Sequence, residues 1–364
     1  MNDLALNRLI GALAAVFISF SPCADAGQDN PDGDSGIAPL FASHAPLEVT
    51  IEAPLTTLMD ERPEDEYLEG SFSYAGDDGS EHTFDLKIRT RGNFRRQTKI
   101  CNFAPIRLNF RKKQLADTIF AGQDKLKLVT HCQRNKPIYE QFVLSEYLAY
   151  RIFQVMTDKS FGVRLLHINY IDTERDSSMT KYGFVIEDDD DVADRNGMKS
   201  MNIGDVTYDD LDPQQQNLVY VFQYMIGNTD FSLINGPEFS NCCHNSRLLS
   251  ANDGPPFTPL PYDFDFSGLV KATYAKPNKR FGLASVRSRL YRGNCGNNDL
   301  LPESFRRFLE KKDAVYAIVD ELDMITVKTR RSVIRYLDSF YDDISQAQTN
   351  AIEFTDECTP GGTT

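Results

Sequence analysis

The first half of the chain alternates apolar and polar residues in short runs. In residues 47–54 (LEVTIEAP) apolar side chains recur at every second position, which is typical of a strand with one buried face. Similar runs, separated by turn signals such as GDDGS, follow at residues 70–76, 82–92, 105–110 and 124–130. The pattern predicts an antiparallel, strand-rich N-terminal lobe.

A helical period replaces this alternation at residue 137. In residues 137–157, Phe142, Leu148 and Ile152 fall near helical spacing, and Pro137 suits a first helical turn. Residues 163–172 (VRLLHINYID) and 182–187 (YGFVIE) then predict a hairpin of two strands. The pattern of the first half therefore predicts a sheet, then a long helix, then a hairpin.

The second half of the chain is mainly helical. Asp212 is a good N-cap before Pro213, and Gly227 is a plausible stop for the same helix. Residues 302–312 and 326–347 predict two further helices. The sequence thus predicts an α+β fold with a β-rich lobe at 44–190 that contains the long helix, a mainly helical C-terminal lobe at 191–350 and a tail at 351–364.

The first 26 residues have the pattern of a signal peptide. Arg8 precedes the apolar run 9–20, and residues 24–26 form an A-x-A cleavage site. The run is too short for a membrane anchor, which needs about 20 residues, and Pro22 disfavours lipid attachment at Cys23. Residues 27–43 are rich in Gly, Asp and Pro and predict a flexible leader. We expect a secreted or periplasmic protein without stable membrane insertion after cleavage.

Charge and cysteine usage narrow the class of protein. The formal net charge of −14 argues against nucleic acid and anionic membranes as main partners. Of seven Cys, six remain after signal cleavage, and an even number in an exported chain predicts up to three disulfides of undetermined connectivity. A metal site at residues 242–244 (CCH) is the alternative, but adjacent Cys do not easily ligate one zinc ion. The acidic run 188–197 lacks the spacing of a calcium loop and predicts a solvated turn.

Three carboxylates in the second half could carry chemistry. Asp230 follows the helix that ends near Gly227, so a rigid element would aim its side chain. Asp263 and Asp265 flank Phe264 in an apolar run, and alternation in a strand would put both on one face. Two such carboxylates are costly to bury unless a cation lies between them, and Mg²⁺ prefers oxygen ligands. An amide oxygen could come from Asn245 or Asn235; we prefer Asn245.

Several motifs over residues 86–293 resemble, in the same order, those of the CotH-type secreted kinases, an atypical protein-kinase-like family. They are LKIRTRGNFRR, PIRLNF, DKLKLVT with SEYLAYRIF, VRLLHINYID with YGFVIE, GNTDFS, HN and PYDFDF. The resemblance implies a two-lobed kinase-like fold, ATP with Mg²⁺ or Mn²⁺, and phosphate transfer to a Ser, Thr or Tyr hydroxyl of a protein. We expect the protein to act as a monomer.

The resemblance also implies roles for individual residues in the C-terminal lobe. Asp230 takes the position of the catalytic base. Asn245 and Asp263 would hold the metal, with Asp265 as an alternate or second ligand.

Roles in the N-terminal lobe are implied in the same way. Glu146 on the long helix would pair with a phosphate-binding cation, and Glu140 is the alternative acid. Lys127 and Arg107 are both candidates for that cation. Glu187 would lie near the adenine hinge.

The chain also departs from the kinase pattern, because it lacks a G-x-G-x-x-G loop. Residues 89–99 (RTRGNFRRQTK) instead offer cations that could clamp phosphates; they are Arg89, Arg91, Arg95, Arg96 and Lys99, of which Arg91 is our candidate for cofactor binding. Residues 286–293 (VRSRLYRG) add three Arg that either bind an acidic substrate or form salt bridges within the protein.

Two other functions compete with a kinase. A catalytically silent nucleotide- or metal-binding scaffold could use the same fold, because a fold does not fix a function. A metal-dependent hydrolase could use Asp230, Asp263 and Asp265. The chain has five His and no H-E-x-x-H motif, which argues against a multi-histidine hydrolase.

Overall fold

A computed structural model describes residues 36–76, 78–238, 240–347 and 352–360, without the side chains of residues 352 and 353. The predicted signal peptide and the predicted leader up to residue 35 lie outside this range. The end of the leader is folded: helix α1 is Pro39–Ala42, and Leu40 and Phe41 are fully buried. The prediction of a flexible leader up to residue 43 is therefore wrong for its last residues, because two of its apolar side chains pack into the barrel core.

Seven strands form a closed mixed β-barrel in the order β1-β2-β3-β4-β5-β7-β6. They are β1 Leu47–Ala53, β2 Leu68–Ala75, β3 Glu81–Thr90, β4 Ile106–Phe110, β5 Lys125–Val129, β6 Val163–Asp172 and β7 Ser177–Ile186. Neighbouring strands are antiparallel except β1 and β6, which pair in parallel with Ile51 opposite Tyr170. The prediction of a purely antiparallel lobe is wrong at this pair, because local alternation does not encode which distant strand closes the barrel.

Aromatic side chains pack together in the core of the barrel. In β1 the apolar residues at every second position face inward, as the alternation predicts. Phe72 on β2 lies edge-on to Phe110, with ring centroids 5.3 Å apart, and to Phe120, at 5.2 Å. Phe84 packs against the same rings. These contacts supply the bulk that the chain, which has no Trp, needs in its core.

Eight further helices lie in the described residues. They are α2 Leu55–Glu61, α3 Pro137–Met156, α4 Asp189–Arg195, α5 Pro213–Ile226, α6 Leu301–Glu310, α7 Lys312–Glu321, α8 Val327–Ala347 and α9 Ile352–Glu357. The predictions of α3, α5, α6 and α8 are confirmed. The prediction of a solvated turn at 188–197 is wrong, because α4 begins there, capped by Asp188 and anchored by buried Val192 and Ala193.

One apolar core continues from β6 and β7 through α3 and α5 to the C-terminal helices. Asp212 caps α5 by accepting from the backbone N–H of Gln215 at 2.7 Å, and Gly227 ends it with φ 62°. A three-stranded sheet of β8 Lys199–Met201, β9 Ser246–Ser250 and β10 Thr258–Pro261, ordered β10-β9-β8, lies beside α5 and α4. The protein is therefore an α+β protein with a closed barrel and a helical C-terminal region.

The disulfide prediction is confirmed, and the structure gives the connectivity. The three bonds are Cys101–Cys132, Cys242–Cys243 and Cys295–Cys358. The third ties the predicted tail to the fold, and Phe354 in that tail is buried. No helix in the described residues is long and apolar enough to cross a membrane.

We expect a buried histidine to make the fold sensitive to acid. His131 is buried, its ring stacks on Phe103 at 4.5 Å, and neither ring nitrogen has a hydrogen-bond partner in the described part of the chain. Burial, assisted by Lys181 and Arg134, lowers its pKa to about 3. The folded protein therefore keeps this ring neutral, whereas the unfolded chain protonates it near the ordinary pKa of 6.5, so stability falls as the pH drops between these values.

In His131→Phe this loss should be absent. Relative to wild type, the variant should gain about 2 kcal/mol in the free energy of unfolding between about pH 7.5 and about pH 5. Urea unfolding at the two pH values measures the difference. Parallel pH dependence in the two proteins would contradict a neutral buried ring.

Candidate active site

The backbone around Asp230 is held on both sides. Helix α5 ends at Gly227, and Asp230 follows three residues later. The guanidinium of Arg292 donates to the carbonyl oxygens of Thr229, at 3.1 Å, and of Phe231, at 2.8 Å. A single side chain therefore holds the peptide unit that precedes Asp230 and the one that follows Phe231.

The side chain of Asp230 is partly exposed and contacts two residues of one loop. His244 Nε2 lies 3.0 Å from Oδ1, and Asn245 Nδ2 donates to the main-chain oxygen at 2.6 Å and to Oδ2 at 3.3 Å. The hydrogen bond to Asp230 raises the pKa of His244. Asn235 instead donates to Asp205 at 3.1 Å, so Asn245 is the amide beside Asp230. Sequence reasoning missed the role of His244, although it directly precedes Asn245.

Asp263 and Asp265 do not lie in a strand. Strand β10 ends at Pro261, and Asp263 has φ 61°, in the left-handed region. Its N–H donates to the hydroxyl of Tyr150 at 2.9 Å, while buried Asp265 accepts from the hydroxyl of Tyr274 at 3.0 Å. The two carboxylates nevertheless face one cation, because the left-handed turn, and not strand alternation, brings them together.

That cation is the side chain of Arg95. Its guanidinium lies 3.2 Å from Asp265, 3.5 Å from Glu146 and 3.7 Å from Asp263. Arg95 is 9% exposed, Glu146 is 1% exposed and Asp265 is also buried, whereas the side chain of Asp263 is 39% exposed, so the cluster reaches solvent at Asp263. Glu140 instead accepts from a backbone N–H of β7 at 2.8 Å, which leaves Glu146 as the acid of α3 at this site.

Two of the other predicted cofactor-binding residues, Lys127 and Glu187, form ion pairs that the sequence did not indicate. Lys127 pairs with Asp189 at 3.4 Å, and not with Glu146. Buried Glu187 pairs with Arg195 at 3.0 Å and is engaged within the fold. Arg107 lies opposite Lys127 in the β4–β5 register. The sequence did not indicate Arg95 as the partner of Glu146, because Arg95 lies in a loop without a regular pattern. It did not indicate Asp189 as the partner of Lys127, because α4 was not predicted.

The buried cluster has more acids than bases. Burial, opposed by Arg95, raises the pKa of Glu146 to about 8 and that of Asp265 to about 7. Asp263, Asp265 and Asn245 line one cleft and offer carboxylate and amide oxygens, the type of ligand that Mg²⁺ prefers. The residues therefore fit a divalent cation. Within the described residues, the group of three acids close enough to share an ion lies elsewhere, at Asp188, Asp189 and Asp190.

These residues line one cleft of about 640 Å³. Five predicted site residues contribute to it, namely Arg91, Asp230, Asn245, Asp263 and Asp265. Arg95, His244 and Arg247 also line it. A second cavity of about 570 Å³ shares Asp230, His244 and Pro237 with the cleft. Asp230 thus borders two spaces, one rich in charged groups and one lined by aromatic side chains.

Lys127 and Glu146 border a void of only about 10 Å³ beside the cleft. Such a volume holds about one water molecule. Tyr150, Phe161 and Tyr262 occupy the surrounding space. A nucleotide base could enter here only if Tyr262 or Phe161 moved, whereas the cleft itself has room for a phosphate chain. Arg107 and Glu187 line neither the cleft nor the void.

No protein-family model matches this chain, and no curated protein matches it significantly.

Proposed function

We propose that the chain is an exported ATP- and divalent-metal-dependent kinase that transfers phosphate to a protein hydroxyl. The barrel with α3 and the helical C-terminal region would be the two lobes of a protein-kinase-like fold. The observation that carries the proposal is the single cleft in which Arg91 and Arg95 face Asp230, Asn245 and Asp263. Phosphoryl transfer needs this combination of cations, metal ligands and a positioned carboxylate.

In this proposal each side chain has a defined task. Asp230 orients the acceptor hydroxyl and takes its proton, while Arg292 holds the adjacent backbone. The hydroxyl oxygen forms a bond to the γ-phosphorus, the bond from phosphorus to the β–γ bridging oxygen breaks, and ADP leaves with the electron pair. Arg91 and Arg95 would face the phosphates, with Glu146 pairing Arg95 as the acid of α3. A metal ion held by Asn245, Asp263 and Asp265 would neutralise phosphate charge.

The disulfides support export, because such bonds persist in oxidising compartments. The acceptor would then be a protein outside the cytoplasm.

Intact-mass spectrometry tests the proposal directly. Purified protein incubated with ATP and Mg²⁺ or Mn²⁺ should gain about 80 Da per phosphorylated site. Asp263→Ala should gain none, because it removes a metal ligand. The matched control is Asp85→Ala, which changes an exposed carboxylate whose one ion pair within the described residues is with Arg111, at 3.4 Å, and should behave as wild type.

Nucleotide binding has an independent readout. At a ligand concentration about a hundredfold above Kd, ATP with metal should stabilise the protein by about 2.7 kcal/mol and raise its Tm. A protein that shows neither the mass gain nor the Tm shift is not an ATP-dependent kinase.

A silent scaffold is the second candidate. It is favoured by the small void beside Lys127 and by Arg95, which already supplies a cation to the acids. A Tm shift with nucleotide or metal, but no phosphorylated protein of any kind, would support it. Release of free phosphate without a labelled protein would instead support the hydrolase.

A further inference from the structure

Two segments of this acidic protein carry several Lys and Arg but no Asp or Glu: residues 86–116, which include Arg91 and Arg95, and residues 266–298, called here the basic segment. Residues 266–298 hold seven Lys and Arg and no Asp or Glu, although the net charge of the whole chain is −14. The seven are Lys271, Lys276, Lys279, Arg280, Arg287, Arg289 and Arg292. The segment begins directly after Asp265, so it leaves the candidate active site.

Three of these cations are held by contacts with other parts of the fold. Arg287 donates to Gly268 O at 3.3 Å and lies over the ring of Tyr336 at 4.3 Å. Arg289 donates to main-chain oxygens at the end of α5 and pairs with Asp343 at 3.7 Å. Arg292 holds the backbone around Asp230. Within the described residues, Arg289 is the one of these three that forms an ion pair. Arg287 and Arg292 are held by hydrogen bonds to main-chain oxygens.

The other four cations are exposed. In the part of the chain that the structure describes, none of them forms an ion pair; they are Lys271, Lys276, Lys279 and Arg280. Lys279 and Arg280 lie together in one short 3₁₀ turn, Lys279–Phe281. Exposed charges of one sign attract a partner of the other sign and speed its approach.

The second cavity connects this segment with Asp230. Asn278, Arg280 and Phe281 from the basic segment line it, together with Asp230. Its other walls include Tyr208, Tyr220 and Phe231, whose rings offer apolar surface to a peptide. A chain that lies over Lys279 and Arg280 can therefore place a side chain in the cavity, next to Asp230.

We propose that this surface binds an acidic protein segment, with the acceptor hydroxyl in the second cavity and flanking Asp or Glu residues on Lys276, Lys279 and Arg280. The assignment rests on the proposed function for the transfer step, but not for the binding step. It names the class of substrate: a hydroxyl residue within an acidic stretch.

Peptide binding and phosphorylation test it together. Two labelled peptides carry the same Ser, Thr and Tyr residues, flanked by Glu in one and by Gln in the other. Wild-type protein should bind the Glu peptide at least about tenfold more tightly in fluorescence anisotropy at low salt, with binding weakened by added salt. Lys279→Glu/Arg280→Glu should lose this preference.

Lys112→Glu/Lys113→Glu is the matched control. It makes the same change of net charge in another exposed 3₁₀ turn, Lys112–Gln114, which borders neither space at Asp230. This variant should bind the Glu peptide within about twofold of wild type. Equal loss in both double variants, equal binding of the two peptides by wild type, or tighter binding of a single-stranded oligonucleotide would each overturn the inference.

The two proposals fail in different ways. Anisotropy needs neither ATP nor turnover, so a protein that binds the Glu peptide but never phosphorylates it would retain the acidic-segment site and lose the kinase. A protein that phosphorylates both peptides equally, with unchanged rates in Lys279→Glu/Arg280→Glu, would retain the kinase and lose the acidic-segment site.

Discussion

Exchanging Asp230 for Asn is expected to lower the rate of phosphate transfer by about a thousandfold, the usual size of general-base catalysis. The amide has nearly the shape of the carboxylate, can still accept a hydrogen bond from His244, and leaves the main-chain contact of Asn245 in place. It cannot take up the proton of an acceptor hydroxyl. The loss should therefore appear in the rate of transfer and not in folding.

Initial rates of peptide phosphorylation at saturating ATP measure this effect. The rise of Tm with ATP and metal should remain, because Asp230 is not one of the candidate metal ligands. Asp320→Asn is the control: its carboxylate is exposed and, in the part of the chain that the structure describes, forms an ion pair with Arg330 alone. If Asp230→Asn keeps a rate within about tenfold of wild type, Asp230 serves only the structure of the loop after α5 and the base lies elsewhere.

Removing the cation of the buried cluster should have the largest effect on stability. Arg95→Met is expected to lower the free energy of unfolding by about 3–5 kcal/mol, because it leaves Glu146, Asp263 and Asp265 without the guanidinium that faces them. Met preserves much of the apolar length of Arg, so the loss measures charge more than volume. Chemical denaturation at about pH 9, where these carboxyls are ionised, gives the value.

The dependence of this loss on pH identifies its cause. The pKa of Glu146 is already raised to about 8 and that of Asp265 to about 7, so both folded-state carboxyls take up protons as the pH falls below these values. Protonated carboxyls need no cation. The difference between Arg95→Met and wild type should therefore shrink from about pH 9 to about pH 5.

Arg96→Met is the matched control for Arg95→Met. Arg96 is the next residue, and its ion pair with Glu64 lies nearer the surface. Its loss should cost about 1 kcal/mol or less. Similar losses in both variants, or a loss for Arg95→Met that does not change with pH, would show that the buried charges are not what Arg95 stabilises.

Much of the fold could be predicted from local sequence patterns. Alternation identified the strands of the barrel, and the N-cap at Asp212 with Gly227 gave both ends of α5. Helix α4 was not predicted, because an acidic run surrounds its two buried residues, Val192 and Ala193. The parallel pairing of β1 with β6, which closes the barrel, was not predicted because the two strands lie far apart in sequence.

The candidate site divides in the same way. The sequence by itself determined that polar residues able to hold a metal or take a proton follow a helix and an apolar run. Asp230, Asn245, Asp263 and Asp265 could therefore be named, and all four border one cleft. Only the tertiary structure decided their partners: Arg95 for the acids and His244 for Asp230. Periodicity and caps act over a few residues and leave a pattern in the sequence. An ion pair depends on where the end of a long side chain lies after the barrel and helices have packed, and no local pattern specifies that position.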